Sequence, residues 1–115
     1  MLLPNIEQAY VPATKLSGYL LAADHASGRS KARFLNTLGF RPDQPDVLRR
    51  ALLQHAAENA VGSIQQTSFG AKYLIEGRIS GPTGSAAAIR SVWFVETGAR
   101  GPRFVTAYPL RGTQR

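Results

Sequence analysis

Lys72-Tyr73-Leu74-Ile75-Glu76-Gly77-Arg78-Ile79 puts Tyr73, Ile75, Gly77 and Ile79 on one face and Lys72, Leu74, Glu76 and Arg78 on the other. Alternation with period two is the pattern of a strand with one buried face. The period starts at Ser63 and persists almost to the end of the chain. It predicts strands over 63–67 and 71–79, on either side of Phe69-Gly70. A third strand, over 87–97, carries Ala88-Ile89-Arg90-Ser91-Val92-Trp93-Phe94-Val95. The last strand covers 103–108 and stops at Pro109. Gly81-Pro82-Thr83-Gly84 and Gly98-Ala99-Arg100-Gly101-Pro102 read as turns between them.

Before Ser63 the pattern is helical. Leu2 to Val11 is irregular, broken by Pro4 and Pro12. Residues 14–22 form a short helix with Thr14 as cap and Leu16, Tyr19 and Leu20 at helical spacing, weakened by Gly18. Residues 30–38 form a second, with Phe34, Leu35 and Leu38 apolar, Gly39 as the left-handed cap and Phe40 packing back. The longest covers 45–59. Pro45 suits its first position, Asp46 its first turn, and Val47, Leu48, Ala51, Leu52 and His55 its buried side. Helices followed by hairpin-connected strands predict an α+β fold, with two or three N-terminal helices packed on a four-stranded antiparallel sheet. At 115 residues, with no repeat and no linker, residues 1–115 make a single domain.

Composition narrows the function. There is no cysteine, which removes disulfides and thiolate zinc sites. Two histidines with few carboxylates near them argue against a metal centre, and no cofactor is expected. No apolar run approaches the ~20 residues of a membrane span, so a soluble cytoplasmic protein, or a piece of a larger one, is expected. Net charge is +7, and residues 61–115 carry +5 of it. Eleven of the fourteen basic residues are arginine, whose planar donor fork suits phosphate. RNA or DNA is the natural partner for such a chain, and solubility the plainer explanation.

The densest group of reactive side chains is Asp24-His25-Ala26-Ser27-Gly28-Arg29-Ser30-Lys31-Ala32-Arg33-Phe34. His25 sits in a loop and can exchange a proton at neutral pH; capping a turn or pairing with Asp24 is the structural alternative. Lys31 and Arg29 can stabilise charge on a phosphate, or simply be solvated at a helix start. His55 reads instead as a satisfied core histidine. On the strands, Arg90 and Ser91 fall on opposite faces, as do Arg103 and Thr106, while Thr106 shares a face with Tyr108. Hydroxyls beside arginine can hold a phosphate; core packing explains Trp93 and can explain Tyr108. The chain has no GxxxxGKS/T loop, no dinucleotide fingerprint, no GxSxG elbow and no close carboxylate pair. What remains for a nuclease is the metal-free route, in which a base frees the ribose 2′-hydroxyl to attack the adjacent phosphate.

Asp24-His25-x-x-Gly28-Arg29-x-Lys31-Ala32-x-Phe34 followed by Leu38-Gly39-Phe40 resembles a widespread uncharacterised bacterial domain family. Lys72-Tyr73-x-x-Glu76-Gly77, Ser91-Val92-Trp93 and Arg103-x-Val105-Thr106-Ala107-Tyr108-Pro109 match it too, so the resemblance spans nearly the whole chain. More distantly, the layout is similar to the barnase–EndoU–colicin–RelE class of ribonuclease toxins. That resemblance implies His25 or Lys31 as the base, with Arg103, Thr106 and Tyr108 at the phosphate. It implies RNA, with tRNA a candidate, as substrate and an acidic immunity or antitoxin protein as partner. A metal-independent ribonuclease, toxin or toxin-derived, is therefore the first expectation: catalytic His25, Lys31, Arg103 and Thr106, with Arg29, Arg90, Ser91 and Tyr108 holding substrate. A non-catalytic basic module for RNA or an acidic protein is the second.

Overall fold

The computed structural model describes residues 1–16 and 29–110. A 3-10 turn at Ile6–Gln8 is followed by α1 (Ala13–Lys15), α2 (Arg29–Thr37) and α3 (Pro45–Glu58). Then come β1 (Val61–Thr67), β2 (Gly70–Ser80), β3 (Ala86–Glu96) and β4 (Arg103–Pro109). The strands pair antiparallel in the order β1-β2-β3-β4. This is the expected α+β architecture. Most of the predicted 14–22 helix lies outside the described residues. Among the described residues no helix is long and apolar enough to cross a membrane.

Local signals explain the boundaries. Pro45 opens α3 with Asp46 in its first turn. Gly39 takes φ of 98°, and the Phe40 amide donates to the Leu35 carbonyl at 3.1 Å, which closes α2. β1 starts two residues before the predicted Ser63, because Gly62 is accommodated as a bulge between Val61 and Ser63. The β2–β3 turn runs close to the end of α2. A Cβ placed on Gly81 would stand 1.8 Å from the Leu38 carbonyl oxygen.

The helices cover one face of the sheet. Leu35, Leu38, Phe40, Leu48, Leu52 and Ala56 pack against Ile75, Ile79, Ile89, Trp93, Phe104 and Ala107. Trp93 and Phe104 meet edge to face, with ring centroids 5.3 Å apart. The N-terminal segment runs parallel beside the start of β4: the Tyr10 amide donates to Pro102 and its carbonyl accepts from Phe104.

One irregularity decides what the other face of the sheet presents. Val92 pairs with Thr106 but Trp93 pairs with Phe104, which leaves Val105 as an extra residue in β4. A bulge reverses the alternation beyond it. Phe104 and Ala107, three residues apart, therefore both enter the core. Arg103 and Thr106 consequently share the open face, and the expectation that they oppose each other is corrected.

Candidate functional site

On the face away from the helices, antiparallel register aligns side chains in three rows. Glu76 lies beside Arg90, and Arg90 beside Tyr108. Ser63, Leu74, Val92 and Thr106 form the next row, and Gln65, Lys72, Phe94 and Arg103 the third. Cross-strand neighbours this close interact directly.

Lys31 joins this face from the helix layer. It precedes Phe34 and Leu35 by one helical turn, so it sits above side chains that anchor α2 in or against the core. Its ammonium donates to the Thr106 hydroxyl at 2.8 Å, across 75 residues of sequence. It also lies 5.8 Å from the centre of the Tyr108 ring. Arg90 approaches the same ring from β3, at 5.7 Å, and donates to the Tyr108 hydroxyl at 3.3 Å. Both distances fall within the reach of cation–π attraction. Arg90 is steadied on its other side by Glu76, which receives Nε and Nη2 on a single oxygen, Oε2. The Tyr108 hydroxyl and then Glu76 keep the Arg90 guanidinium even more firmly protonated than usual. Two cations, two hydroxyls and one carboxylate thus converge at the β4 side of the sheet. Such a set can bind phosphate and stabilise charge developing on it.

The predicted site residues divide as follows. Lys31, Thr106, Tyr108 and Arg90 come together. Arg103 shares their face but stands one row beyond Thr106 and two beyond Arg90 and Tyr108, about 13 Å from the latter pair along the strands at ordinary strand rise; its guanidinium lies 5.9 Å from the Phe94 ring centre. His25 lies outside the described residues, as does the side chain of Arg29.

Ser91 belongs elsewhere. It points into the core, fully buried, and does not join the phosphate-binding candidates. Its hydroxyl receives the Trp93 indole N–H at 2.9 Å and meets His55 Nδ1 at 3.1 Å. The other ring nitrogen of His55 faces the Gly77 carbonyl at 3.3 Å. A carbonyl only accepts, so Nε2 carries the proton. In the neutral ring Nδ1 then accepts from Ser91, whose oxygen accepts from Trp93. Every group in the chain Trp93, Ser91, His55, Gly77 is satisfied by this one arrangement, with His55 neutral. Burial pushes the His55 pKa down, opposed more weakly by the Gly77 contact and by Glu58. His55 is the satisfied core histidine that its helical position predicts.

Glu76 went unassigned among the candidate residues. The signal that finds it is the Gly81–Gly84 turn. Once that turn sets the register, Glu76 must lie beside Arg90.

A family model described as "Domain of unknown function (DUF6883)" matches residues 2–111. A chain in the solved structure of a contact-dependent growth inhibition toxin–immunity protein complex from Klebsiella pneumoniae 342 shares the fold. Its TM-score is 0.73 at 23% identity, over 94% of this chain and 98% of that one. No curated protein matches the sequence.

Proposed function

The chain belongs to the DUF6883 family, of unknown function, and we propose that it is a metal-independent ribonuclease-like domain, a toxin or derived from one. The observation that carries this reading is the bond from Lys31 to Thr106, which joins the helix layer to the last strand beside Tyr108 and Arg90. The structural neighbour, which belongs to a complex of a growth inhibition toxin with its immunity protein, supports the toxin setting. It also supports an acidic immunity protein as a partner for a chain of net charge +7.

In this reading an RNA phosphate displaces the internal contacts and takes hydrogen bonds from Lys31, Thr106 and Arg90. His25 removes the 2′-hydroxyl proton; in the alternative a neutral Lys31 removes it, and Thr106 and Arg90 hold the phosphate without it. The 2′-oxygen bonds to phosphorus as the bond from phosphorus to the 5′-oxygen breaks, and the departing oxygen takes a proton from water. The products are a 2′,3′-cyclic phosphate and a 5′-hydroxyl. Cations poised at the phosphate oxygens lower the barrier by meeting charge that is greatest in the transition state.

The test is incubation with total cellular RNA, tRNA included, in EDTA. Native chain should release fragments ending in cyclic phosphate. Lys31→Met should slow this by about 10²-fold or more, the scale of losing one preorganised charge donor. Intact RNA at high protein concentration refutes the nuclease reading. Cleavage untouched by Lys31→Met removes Lys31 from it. One observation favours a non-catalytic module instead: Leu74 and Phe94, half-buried, lie on this face among Lys72, Arg90 and Arg103, with Val92 buried between them, a mixed apolar and basic surface. Salt-dependent RNA binding without cleavage would select that reading.

A further inference from the structure

The two edges of the sheet are finished differently. β4 is covered at its start: the Tyr10 amide donates to the Pro102 carbonyl, and the Phe104 amide donates to the Tyr10 carbonyl. Pro109, which has no amide hydrogen, closes that strand. β1, at the opposite edge, is bare. Every residue from Gly62 to Phe69 is exposed. Among the described residues, the one main-chain bond that reaches β1 from outside the β1–β2 hairpin is at its first residue, where the Val61 amide donates to the Met1 carbonyl at 2.7 Å. The bulge at Gly62 leaves Ser63 to Thr67 in regular register. Natural edges are commonly blunted by charge or proline, because their unpaired amides and carbonyls template another strand. Asn59 to Ala71 holds neither, in a chain with fourteen basic and seven acidic residues. Apolar side chains gather along the same edge. Among the described residues, five large apolar side chains are exposed. Tyr10 lies at the β4 edge. Ile64 sits at the middle of β1 and Phe69 in the turn at one end; Met1 and Leu2 lie at the other end, tied there by the Val61 bond.

We propose that β1 is a docking edge for a second copy of this chain, paired antiparallel about a two-fold axis through Ile64. Val61–Thr67 extends equally on either side of Ile64. Ile64 therefore faces Ile64, and Gln65 faces Ser63 of the other copy, with no like charges opposed. A two-fold axis demands a self-complementary patch. This edge supplies one: the turn of each copy reaches the first residues of the other copy's β1, which brings Phe69 to Met1 and Leu2. An acidic partner has less to hold here, because the edge carries no cation and the basic residues Lys72, Arg90 and Arg103 lie on the other strands. The axis stands perpendicular to the sheet, so both open faces turn the same way. The product is a continuous eight-stranded sheet with both helix layers on one side. Its outermost strands are the two β4 strands, each with its own Lys31–Thr106 cluster, roughly 34 Å apart at ordinary strand spacing. One RNA long enough to span that distance is then gripped at both ends.

The experiment is sedimentation velocity of the native chain from about 10 to 500 μM, at about 0.05 and 0.5 M salt. A dimer should form. Because each copy carries +7, it should form more fully at the higher salt, where their repulsion is screened. Ile64→Lys sets two ammonium groups opposite each other on the axis and should weaken the dimer about tenfold or more. Ile64 is exposed, so the circular dichroism and melting temperature of that variant should match the native chain's. The chain has no cysteine, so Ile64→Cys can bond only to its own mate. Oxidation should link copies through Ile64→Cys and far less through Phe69→Cys, which stands well off the axis. A chain monomeric throughout, a dimer that loosens with salt or survives Ile64→Lys, or equal linking at both positions overturns the proposal. The nuclease is tested apart from the dimer: Lys31→Met should dimerise as the native chain does.

Discussion

Replacing Ser91 by alanine removes one oxygen from the core and leaves two partners stranded. The Trp93 indole N–H loses its acceptor and His55 Nδ1 loses its donor, both in a fully buried environment. A buried polar group left unpaired costs about 1–3 kcal/mol, so the expected loss of stability is about 2–5 kcal/mol. That is a large share of the ~5–15 kcal/mol total of a small domain. At ~2.1 cal/mol/K per residue a chain of this length has an unfolding entropy near 0.24 kcal/mol/K, so the melting temperature should fall by roughly 8–20 °C. Equilibrium urea denaturation followed by far-UV circular dichroism measures the loss. With a slope of about 1.5 kcal/mol/M the midpoint should drop by roughly 1–3 M. The same substitution in a Trp93→Phe background strands only the histidine, and should cost about half as much relative to its parent. A loss below about 1 kcal/mol, or an equal loss in both backgrounds, refutes the hydrogen-bond chain. Lost activity at unchanged stability would return Ser91 to the substrate contacts.

Three other substitutions or conditions have outcomes set by the same packing. The pKa of His55 is lower folded than unfolded, so the unfolded chain binds the extra proton first as pH falls. Stability is complete above about pH 6.5 and declines below it, with a slope approaching about 1.4 kcal/mol per pH unit between the two pKa values. Urea midpoints from pH 8 to 5 check this, and a His55→Gln variant should lose that part of the pH dependence. Gly81→Ala forces a methyl onto the Leu38 carbonyl and should destabilise by about 1–3 kcal/mol or more, read by thermal melting. Thr106→Val keeps the side-chain shape and deletes the acceptor of Lys31. RNA cleavage should fall at least tenfold while the melting temperature changes by no more than a few degrees.

Much of this molecule is legible from pattern. Period two from Ser63 onward, turns at Gly81 and Gly98, Pro45 and Gly39 at helix ends: each expresses a local constraint, so strands, helices and their order follow from neighbouring residues alone. The core position of His55 follows from helical spacing in the same way. Membership of an uncharacterised family was also expected from the sequence, and the family match over 2–111 agrees with that coarser expectation.

What the tertiary structure decided is which distant side chains meet. Strand alternation alone puts Arg103 and Thr106 on opposite faces; one extra residue, Val105, reverses this, and nothing in the local string Arg-Phe-Val-Thr distinguishes a bulge from regular strand. Ser91 beside Arg90 looks like a phosphate contact in one dimension. Pleating turns it into the core, where Trp93 and His55 need its oxygen more than any ligand does. The meeting of Lys31 with Thr106 depends on how α2 docks against β4, a consequence of summed apolar packing rather than of either residue. Periodicity is a property of neighbours and survives in the sequence. Contact across 75 residues depends on every element between them, and exists only once the sheet has formed.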